Sequence, residues 1–201
     1  MARRKQKGKS QAGRLRIVAG NWRSRLLDIA EVPGLRPTSE RIRETLFNWL
    51  APHLHRKRCL DLFAGTGALG LEALSRGAGE VVFVERAAAA VDMLRRNVTT
   101  LQAEGATVHR NDASEYLRSG KNRPFDIVFL DPPFADDALE ETCRLLHEQR
   151  LVADGAFVYL EQDRARPAPE LPVGWDVLKD KTAGNVRYML VRCEARQESR
   201  E

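Results

Sequence analysis

From residue 58 onward, short apolar segments typical of buried strands alternate with segments typical of helices. The strand candidates are RCLDLF, EVVFVE, ATVHRND, FDIVFLD and GAFVYLE, and the later segments WDVLKD and VRYMLVRC predict a terminal hairpin. Helical segments lie between them, such as the one at about 87–103, where Val91, Leu94, Val98 and Leu101 recur on one face. This alternation predicts a parallel sheet covered by helices on both faces.

The segment before residue 58 has a different pattern. The stretch RLRIVAGNWRSRLLDI predicts two short strands around a turn at Gly20 and Asn21. The stretch that follows predicts a helix, with Thr38 as its N-cap. Its apolar residues recur at helical spacing and form one buried stripe of Ile42, Leu46, Trp49 and Leu50. A small hairpin and helix therefore precede the main sheet.

Charge is distributed unevenly along the chain. Residues 1–58 contain 15 Lys and Arg against 4 Asp and Glu, whereas residues 59–201 contain 18 against 24. A basic segment on a mildly acidic body indicates contact with a polyanion, because Lys and Arg displace counterions from phosphates. We expect residues 1–13 to be a flexible basic tail, which either contacts nucleic acid or is merely solvated. The predicted RNA-binding residues are Arg14, Arg16, Trp22, Arg23, Arg25, Arg36 and Arg41.

Trp22 is open to two interpretations. Beside the predicted turn and next to Arg23, we expect the ring to be exposed, where it can stack on bases. The alternative is that the ring packs against the main domain.

Composition excludes several other classes of protein. The three cysteines are far apart and form no CxxC pair, so we expect neither a zinc site nor disulfides. No apolar run approaches the roughly 20 residues that span a bilayer, and the basic N-terminus lacks the apolar stretch of a secretory signal. We expect a cytoplasmic protein without metal or membrane contact. Because no heptad pattern or long flat edge is evident, we also expect a monomer.

Acidic residues stand at the ends of the predicted strands. Asp61 is in the first, Glu85 ends the second, Asp112 follows the third and Asp131 ends the fourth. The carboxyl ends of parallel strands meet at one edge of the sheet, where ligands bind in such folds. Since unpaired carboxylates brought together are costly, four of them predict a ligand rich in hydrogen-bond donors or positive charge.

A glycine loop follows the first strand. The segment GTGALG, with Gly65, Gly67 and Gly70, matches GxGxxG, and Glu85 stands at the distance expected of a residue that holds a ribose. Asp61, just before the loop, would repel a pyrophosphate but suits the ammonium group of S-adenosylmethionine. The pattern therefore favours a methyl-donor cofactor over a nicotinamide one. An oxidoreductase would also need a hydride-transfer site, and no histidine is placed after a predicted strand to provide one.

The fourth strand ends in Asp131-Pro132-Pro133-Phe134, which we predict to be the catalytic motif. The prolines stop the strand and stiffen the backbone, so the carboxylate and the ring are presented at fixed positions. A carboxylate and a neighbouring carbonyl that accept the N–H bonds of a base amine can direct its lone pair, while Phe134 stacks on the extruded base. A carboxylate matches the two adjacent donors of guanine better than the edge of adenine, although adenine stays an alternative.

Taken together, RIVAGNWRSRLL, GLRPTSERIRETLFNWL, DLFAGTGALGLEALSRGA and DPPF resemble the bacterial enzymes that methylate guanine N2 in 16S ribosomal RNA of the small subunit. The resemblance runs from about residue 14 to residue 192. It implies S-adenosylmethionine as cofactor, and as RNA substrate the small ribosomal subunit or an assembly intermediate. The implied cofactor-binding residues are Asp61, Ala64, Gly65, Gly67 and Gly70 around the methionine portion, Glu85 and Arg86 near the ribose, and Asp112 and Ala113 at the adenine.

The resemblance also implies an α/β, Rossmann-like methyltransferase fold with a seven-stranded, mostly parallel sheet and a reversed last strand. We predict a tail at 1–13, an RNA-binding hairpin and helix at 14–57, and a catalytic domain at 58–195. Two alternatives stay open besides the oxidoreductase. One is an adenine-N6 methyltransferase acting on RNA or DNA, and the other is a non-catalytic RNA-binding protein.

Overall fold

The computed structural model of the chain describes residues 13–30, 38–119, 122–134 and 138–194. Two short strands, β1 and β2, form an N-terminal hairpin, and seven further strands form the main sheet. The strands are β1 (Arg14–Arg16), β2 (Leu26–Asp28), β3 (Arg58–Asp61), β4 (Glu80–Glu85), β5 (Ala106–Arg110), β6 (Phe125–Leu130), β7 (Val152–Asp163), β8 (Trp175–Ala183) and β9 (Val186–Cys193). The helices are α1 (Glu40–Leu50), α2 (Ala68–Ser75), α3 (Ala88–Leu101), α4 (Ala113–Arg118) and α5 (Leu139–Glu148), with a single 3-10 turn at Ala51–His53.

The strand order in the main sheet is β5-β4-β3-β6-β7-β9-β8. Strands β3 to β7 are parallel to one another, whereas the last strand, β9, is antiparallel to both β7 and β8. The predicted mostly parallel sheet with a reversed last strand is therefore confirmed. The terminal hairpin is confirmed as well, and it places the last strand between its two neighbours and not at the edge.

Helices cover the sheet on both faces because the central strands bury both sets of alternating side chains. On one face, Cys59, Val81, Phe83 and Ile127 belong to a core shared with α1, α2 and α3. On the other face, side chains of the same strands pack with α4 and α5. The hairpin contributes Leu15, Ile17 and Leu27 to the first of these cores. The N-terminal extension is thus packed against the main sheet domain.

The hairpin differs from its prediction in the length of its connection. Residues 17–25 separate β1 from β2, so the strands do not meet at Gly20 and Asn21 as predicted. The backbone of this loop bonds to α2: the Asn21 N–H donates to the Ser75 carbonyl at 2.7 Å, and the Trp22 N–H donates to the Ser75 hydroxyl at 3.0 Å. The Gly20 backbone lies so close to Ser75 that a β-carbon there would overlap its carbonyl.

Trp22 agrees with the second interpretation of its ring, in which the ring packs against the main domain. Its side chain is half-buried and packs against the core, so the expectation of a fully exposed ring is wrong. The reason is the docking of its loop on α2, which brings the ring onto the domain surface. A partly exposed edge of the ring remains.

Helix α1 begins one residue later than predicted. The Ser39 hydroxyl, and not that of Thr38, accepts the Ile42 N–H and caps the helix. The Thr38 side chain donates instead to Asp131, because the start of α1 lies against the end of β6. Of the predicted stripe, Ile42, Leu46 and Leu50 are buried, whereas Trp49 is half-buried. No helix in the described part of the chain is long and apolar enough to cross a membrane.

Candidate active site

A cavity of about 950 Å³ lies at the carboxyl ends of β3 and β6. The chain order reverses at this point, since β4 and β5 follow on one side of β3 while β6 and β7 lie on the other. Open α/β sheets bind ligands in the crevice at such a switch point. All four predicted strand-end acids line this cavity, namely Asp61, Glu85, Asp112 and Asp131.

Most of the predicted site residues line the same cavity. They include the whole predicted catalytic motif, Asp131, Pro132, Pro133 and Phe134. They also include seven of the predicted cofactor residues, Asp61, Ala64, Gly65, Glu85, Arg86, Asp112 and Ala113. The structure therefore brings together residues that are up to 73 positions apart in the chain.

Gly67 and Gly70 are not among the residues that line the cavity, and each has a backbone role. Gly67 has a φ of +78° and caps α2 in the left-handed conformation that favours glycine. A β-carbon on Gly70 would lie 2.2 Å from the Phe83 ring, so glycine allows α2 to pack closely on β4. These two glycines shape the loop whose other residues line the cavity.

Asp61 is a buried carboxyl at the end of β3. Its side chain is 3% exposed, and its Oδ2 accepts the Gly70 N–H at 2.9 Å. Burial raises its pKa to about 7, and the nearby Glu85 acts in the same direction. Because a buried carboxylate is costly without a partner, a cationic group in the cavity would restore its ionised form.

Glu85 and Asp112 are held by backbone N–H groups. The two Glu85 oxygens accept from the Gly65 N–H at 2.9 Å and the Ala87 N–H at 2.7 Å, which ties the glycine loop to the end of β4. Asp112 caps α4, and hydrogen bonds from Ser114 hold the pKa of its carboxyl below the usual value. Both carboxylates are thereby fixed in orientation at the cavity wall and have lone pairs left for hydroxyl or amine donors.

Asp131 directly follows β6, and the two prolines end the strand there. Its Oδ2 accepts the Thr38 hydroxyl at 3.0 Å. Burial raises its pKa well above the usual value, and Glu161 adds to this effect. Phe134, three residues later, is 38% exposed on the cavity wall. The motif thus combines a half-buried acceptor with an accessible aromatic ring.

Glu161 and Thr38 are among the residues of the cavity wall that the sequence did not single out as site residues. Glu161 is 4% exposed and lies near the end of β7. The signal was present, because GAFVYLE ends in an acid as the second and fourth predicted strands do. Thr38 gave no local signal, since its contact with Asp131 joins residues 93 positions apart.

The predicted RNA-binding residues that the structure describes lie away from the cavity wall, on the hairpin and α1. Five are exposed: Arg14, Arg16, Arg23, Arg25 and Arg41. Arg16 pairs with Glu40 at 3.1 Å, and the Arg25 guanidinium donates to the Thr100 carbonyl at 3.3 Å. Arg36 falls outside the described residues. Within the described ranges, no group of three or more His, Cys, Asp and Glu side chains is placed to hold a metal ion.

Comparison with known proteins places this geometry in a family. Residues 15–192 match the family described as "Conserved hypothetical protein 95". The chain is 46% identical over 190 residues to ribosomal RNA small subunit methyltransferase D of Escherichia coli K12, covering 94% of this chain and 96% of the relative. This chain belongs to the ribosomal RNA small subunit methyltransferase D family.

Other members of the ribosomal RNA small subunit methyltransferase D family are similarly close. The Haemophilus influenzae protein of that name is 44% identical over 181 residues, which cover 89% of this chain and 93% of the relative. The solved structure of the Escherichia coli protein yhhF superposes with a TM-score of 0.85 at 44% identity, covering 91% of this chain and 99% of that one. The family match begins in β1 and ends in β9, so it includes both the hairpin and the cavity.

Proposed function

We propose that this protein transfers a methyl group from S-adenosylmethionine to the exocyclic N2 amine of a guanine in 16S ribosomal RNA. The observation that carries the proposal is the placement of Asp61 and Asp131 on one cavity, at the ends of the adjacent strands β3 and β6. One carboxyl suits the cationic end of the cofactor, and the other suits the amine donors of the base. The family relatives, which are named as small-subunit ribosomal RNA methyltransferases, support the same substrate class.

The cavity residues fit S-adenosylmethionine, which when bound supplies an electrophilic methyl group. Asp61, buried and with its pKa raised, would hold the ammonium group and regain its charge by doing so. Glu85, fixed by two backbone N–H groups, would accept the ribose hydroxyls. Asp112 and Ala113 at the start of α4 would contact the adenine.

Asp131 would orient the target amine. Its carboxylate and the Pro132 carbonyl would accept the amine N–H bonds, which directs the nitrogen lone pair toward the cofactor. Phe134 would stack on the flipped base, whose extrusion is needed to reach a cavity at the sheet edge. Fixed acceptors of this kind accelerate the reaction by orientation and by electrostatic stabilisation.

The N-terminal hairpin and α1 would bind the ribosomal RNA. Arg14, Arg23 and Arg41 are exposed there, and phosphate binding by such residues fixes the register of an enzyme on its RNA. The partly exposed Trp22 would contribute its free ring edge to a base or ribose. The proposal includes Arg36, which falls outside the described residues. We further propose that the small subunit or an assembly intermediate is the substrate, and that the enzyme acts as a cytoplasmic monomer.

The proposal is tested with tritiated S-adenosylmethionine and small ribosomal subunits from a strain that lacks the endogenous enzyme. The wild-type protein is expected to label the RNA. Asp131→Ala is expected to bind RNA and cofactor with unchanged Kd but to transfer methyl on the order of 100-fold more slowly or worse. Asp176→Ala, a matched change on the exposed surface of β8, serves as the control. Transfer by Asp131→Ala at the wild-type rate would overturn the proposed role of the motif.

A further inference from the structure

Two carboxyls, the half-buried Asp131 and the buried Glu161, lie beside each other at the cavity. In the parallel pairing of β6 with β7, Leu130 is opposite Leu160, so the next residue on each chain segment is one of these acids. Both line the cavity, and Glu161 is 4% exposed. Two carboxyls in such a place cannot both ionise freely, because each charge raises the cost of the other.

Two hydroxyls act on this pair of carboxyls, and that of Thr38 acts on both. The Tyr159 hydroxyl, two residues earlier on β7, donates to Glu161 Oε2 at 2.7 Å. The Thr38 hydroxyl donates to Asp131 Oδ2 at 3.0 Å. The side chain of Tyr159 is fully buried, and burial together with Glu161 raises its pKa well above the usual value. Burial raises the pKa of Glu161, and Tyr159, which stays a donor, acts in the opposite direction and favours the ionised carboxylate.

Other groups act on the pair from the neighbouring elements. Asp61 on β3 adds to the negative field at Asp131, and Tyr188 on β9 lies near Tyr159. Asp163, Gln162 and Arg166 lie on the outer side of Glu161, around a small second pocket. Glu161 is thus the acid nearest to Asp131 in the register of the sheet, and its charge is the largest electrostatic influence on that carboxyl.

We propose that Glu161 is a positioning residue that makes Asp131 a stronger proton acceptor, because its ionised carboxyl, held by Tyr159, opposes the loss of a proton from Asp131. The inference rests on the proposed methyl transfer to an RNA base. In that reaction the amine lone pair forms the new C–N bond, and the C–S bond breaks with its electrons remaining on sulfur. The displaced N–H proton passes to the Asp131 carboxylate, and from there to water when the product leaves. An acceptor is most effective when its pKa is close to the working pH.

A merely structural role for Glu161 is disfavoured by its environment. A buried acid beside another acid destabilises the fold, and a neutral side chain of similar size would pack in the same place at lower cost. The position also faces the cavity, where an apolar residue would complete the wall equally well. The arrangement therefore indicates a role in the chemistry of the neighbouring carboxyl.

The test is the pH dependence of kcat for Glu161→Gln, measured with small ribosomal subunits as substrate. Removing the negative neighbour lowers the pKa of Asp131, so the acidic limb of the profile is expected to move to lower pH by about one unit. The plateau kcat is expected to fall, because Asp131 becomes a weaker acceptor. The Kd for S-adenosylmethionine is expected to stay within about twofold, since Glu161 is not among the proposed cofactor ligands.

Two further variants and a control separate the possible outcomes. Tyr159→Phe removes the donor to Glu161 and is expected to move the limb in the same direction by a smaller amount, and Glu161→Asp is expected to return it toward the wild-type position. Glu104→Gln, the same change on an exposed loop, is expected to leave the profile unchanged. The inference would be overturned if the acidic limb of the kcat profile stays at the wild-type pH in both Glu161→Gln and Tyr159→Phe. This holds whether or not kcat itself is lower. If the wild-type protein labels no RNA, the proposed function itself fails.

Discussion

At the scale of single residues, burial favours the neutral form of two carboxyls in the cavity, those of Asp61 and Asp131. Asp61 has its pKa raised to about 7, and the pKa of Asp131 is also well above its usual value. In the free protein, burial favours the neutral form of each acid. A cation or a set of hydrogen-bond donors that binds in the cavity favours the ionised form. Ligand binding and protonation are therefore linked at this site.

This linkage predicts how stability depends on pH. The pKa of Asp61 in the folded protein is above its unfolded value of about 4, so the folded state binds more protons between the two. The stability contributed by the neutral acid is fully present below about pH 4 and is lost as the pH rises toward about 7. We expect the free energy of unfolding of the cofactor-free protein, measured in urea, to decrease between about pH 5 and pH 8.

Asp61→Asn isolates the contribution of this group. The free energy of unfolding of this variant is expected to decrease less over the same pH range, because the amide does not titrate there. Asp28→Asn, on the exposed face of β2, is the matched control and is expected to keep the wild-type slope. An Asp61→Asn variant with an unchanged slope would show that the carboxyl titrates normally in the folded protein.

Most of the site residues were predictable because one rule governs them. Asp61, Glu85 and Asp131 were identified as acids at the ends of predicted strands, and the topology brings such ends together. Glu161 obeys the same rule, since the predicted strand GAFVYLE also ends in an acid, so it was predictable from the sequence although it was not identified. Thr38 was assigned to a helix cap, and its actual partner depends on how α1 lies against β6.

At the scale of elements, the hairpin is fixed to the domain through one buried acid on α2. The carboxylate of Glu72 is fully buried and accepts the Val18 N–H at 2.8 Å and the Ala19 N–H at 3.0 Å. It also pairs with Arg43 of α1 at 3.1 Å and with Arg76 at 2.7 Å. A single side chain thus connects the hairpin, α1 and α2.

Breaking this connection should destabilise the whole chain. Arg43→Met leaves Glu72 with one cation fewer in a buried site, and removal of one partner of a buried pair costs about 3–5 kcal/mol. We expect a loss near the lower end of that range in urea unfolding, since Arg76 still pairs with Glu72. Arg41→Met, the same change on an exposed position of α1, is the control, and an equal effect of the two variants would contradict the role of the buried pair.

The sequence predicted the strands and the helix of this region but not the contacts between them. The hairpin and α1 were both predicted, yet Arg43 looks like its neighbours Arg36 and Arg41 in a basic segment. Its burial depends on Glu72, which lies 29 residues further along the chain on a different helix. The nine-residue connection of the hairpin, residues 17–25, also depends on α2, because Asn21 and Trp22 at its tip donate to Ser75 while Ile17 and Ser24 bond within the connection.

At the scale of the whole molecule, positive charge is concentrated at one end of the chain. Residues 1–58 carry a large excess of Lys and Arg, whereas the remainder is acidic. The rigid attachment of the hairpin presents part of this charge on an ordered surface. Binding of RNA to such a surface is driven by counterion release and weakens as the salt concentration rises.

The salt dependence of RNA binding tests this surface. If Arg14 and Arg23 each contact a phosphate, the double variant Arg14→Gln/Arg23→Gln is expected to bind small-subunit RNA more weakly. The slope of log Kd against log salt concentration should fall by about 1.5–2, as for two lost phosphate contacts. Arg192→Gln on β9 is exposed and outside the proposed surface, so it is expected to leave the slope unchanged. An unchanged slope in the double variant would exclude these residues from the interface.

The overall architecture was predictable because the alternation of buried strands and helices admits few topologies. A parallel sheet with right-handed crossovers follows from the repeated βα units, and the terminal segments without a helix between them require an antiparallel pair. The pattern did not predict the position of β9 between β7 and β8. That position depends on long-range pairing, in which Tyr159 lies opposite Leu190.

The most direct test of the account is the identity of the methylated nucleoside. Small-subunit RNA labelled by the wild-type protein from tritiated S-adenosylmethionine is digested to nucleosides and separated by chromatography. We expect the label in N2-methylguanosine, because Asp131 offers two acceptor oxygens to the adjacent N1 and N2 donors of guanine. Label in N6-methyladenosine would contradict the assignment of Asp131 as a guanine-binding residue while retaining the enzyme class.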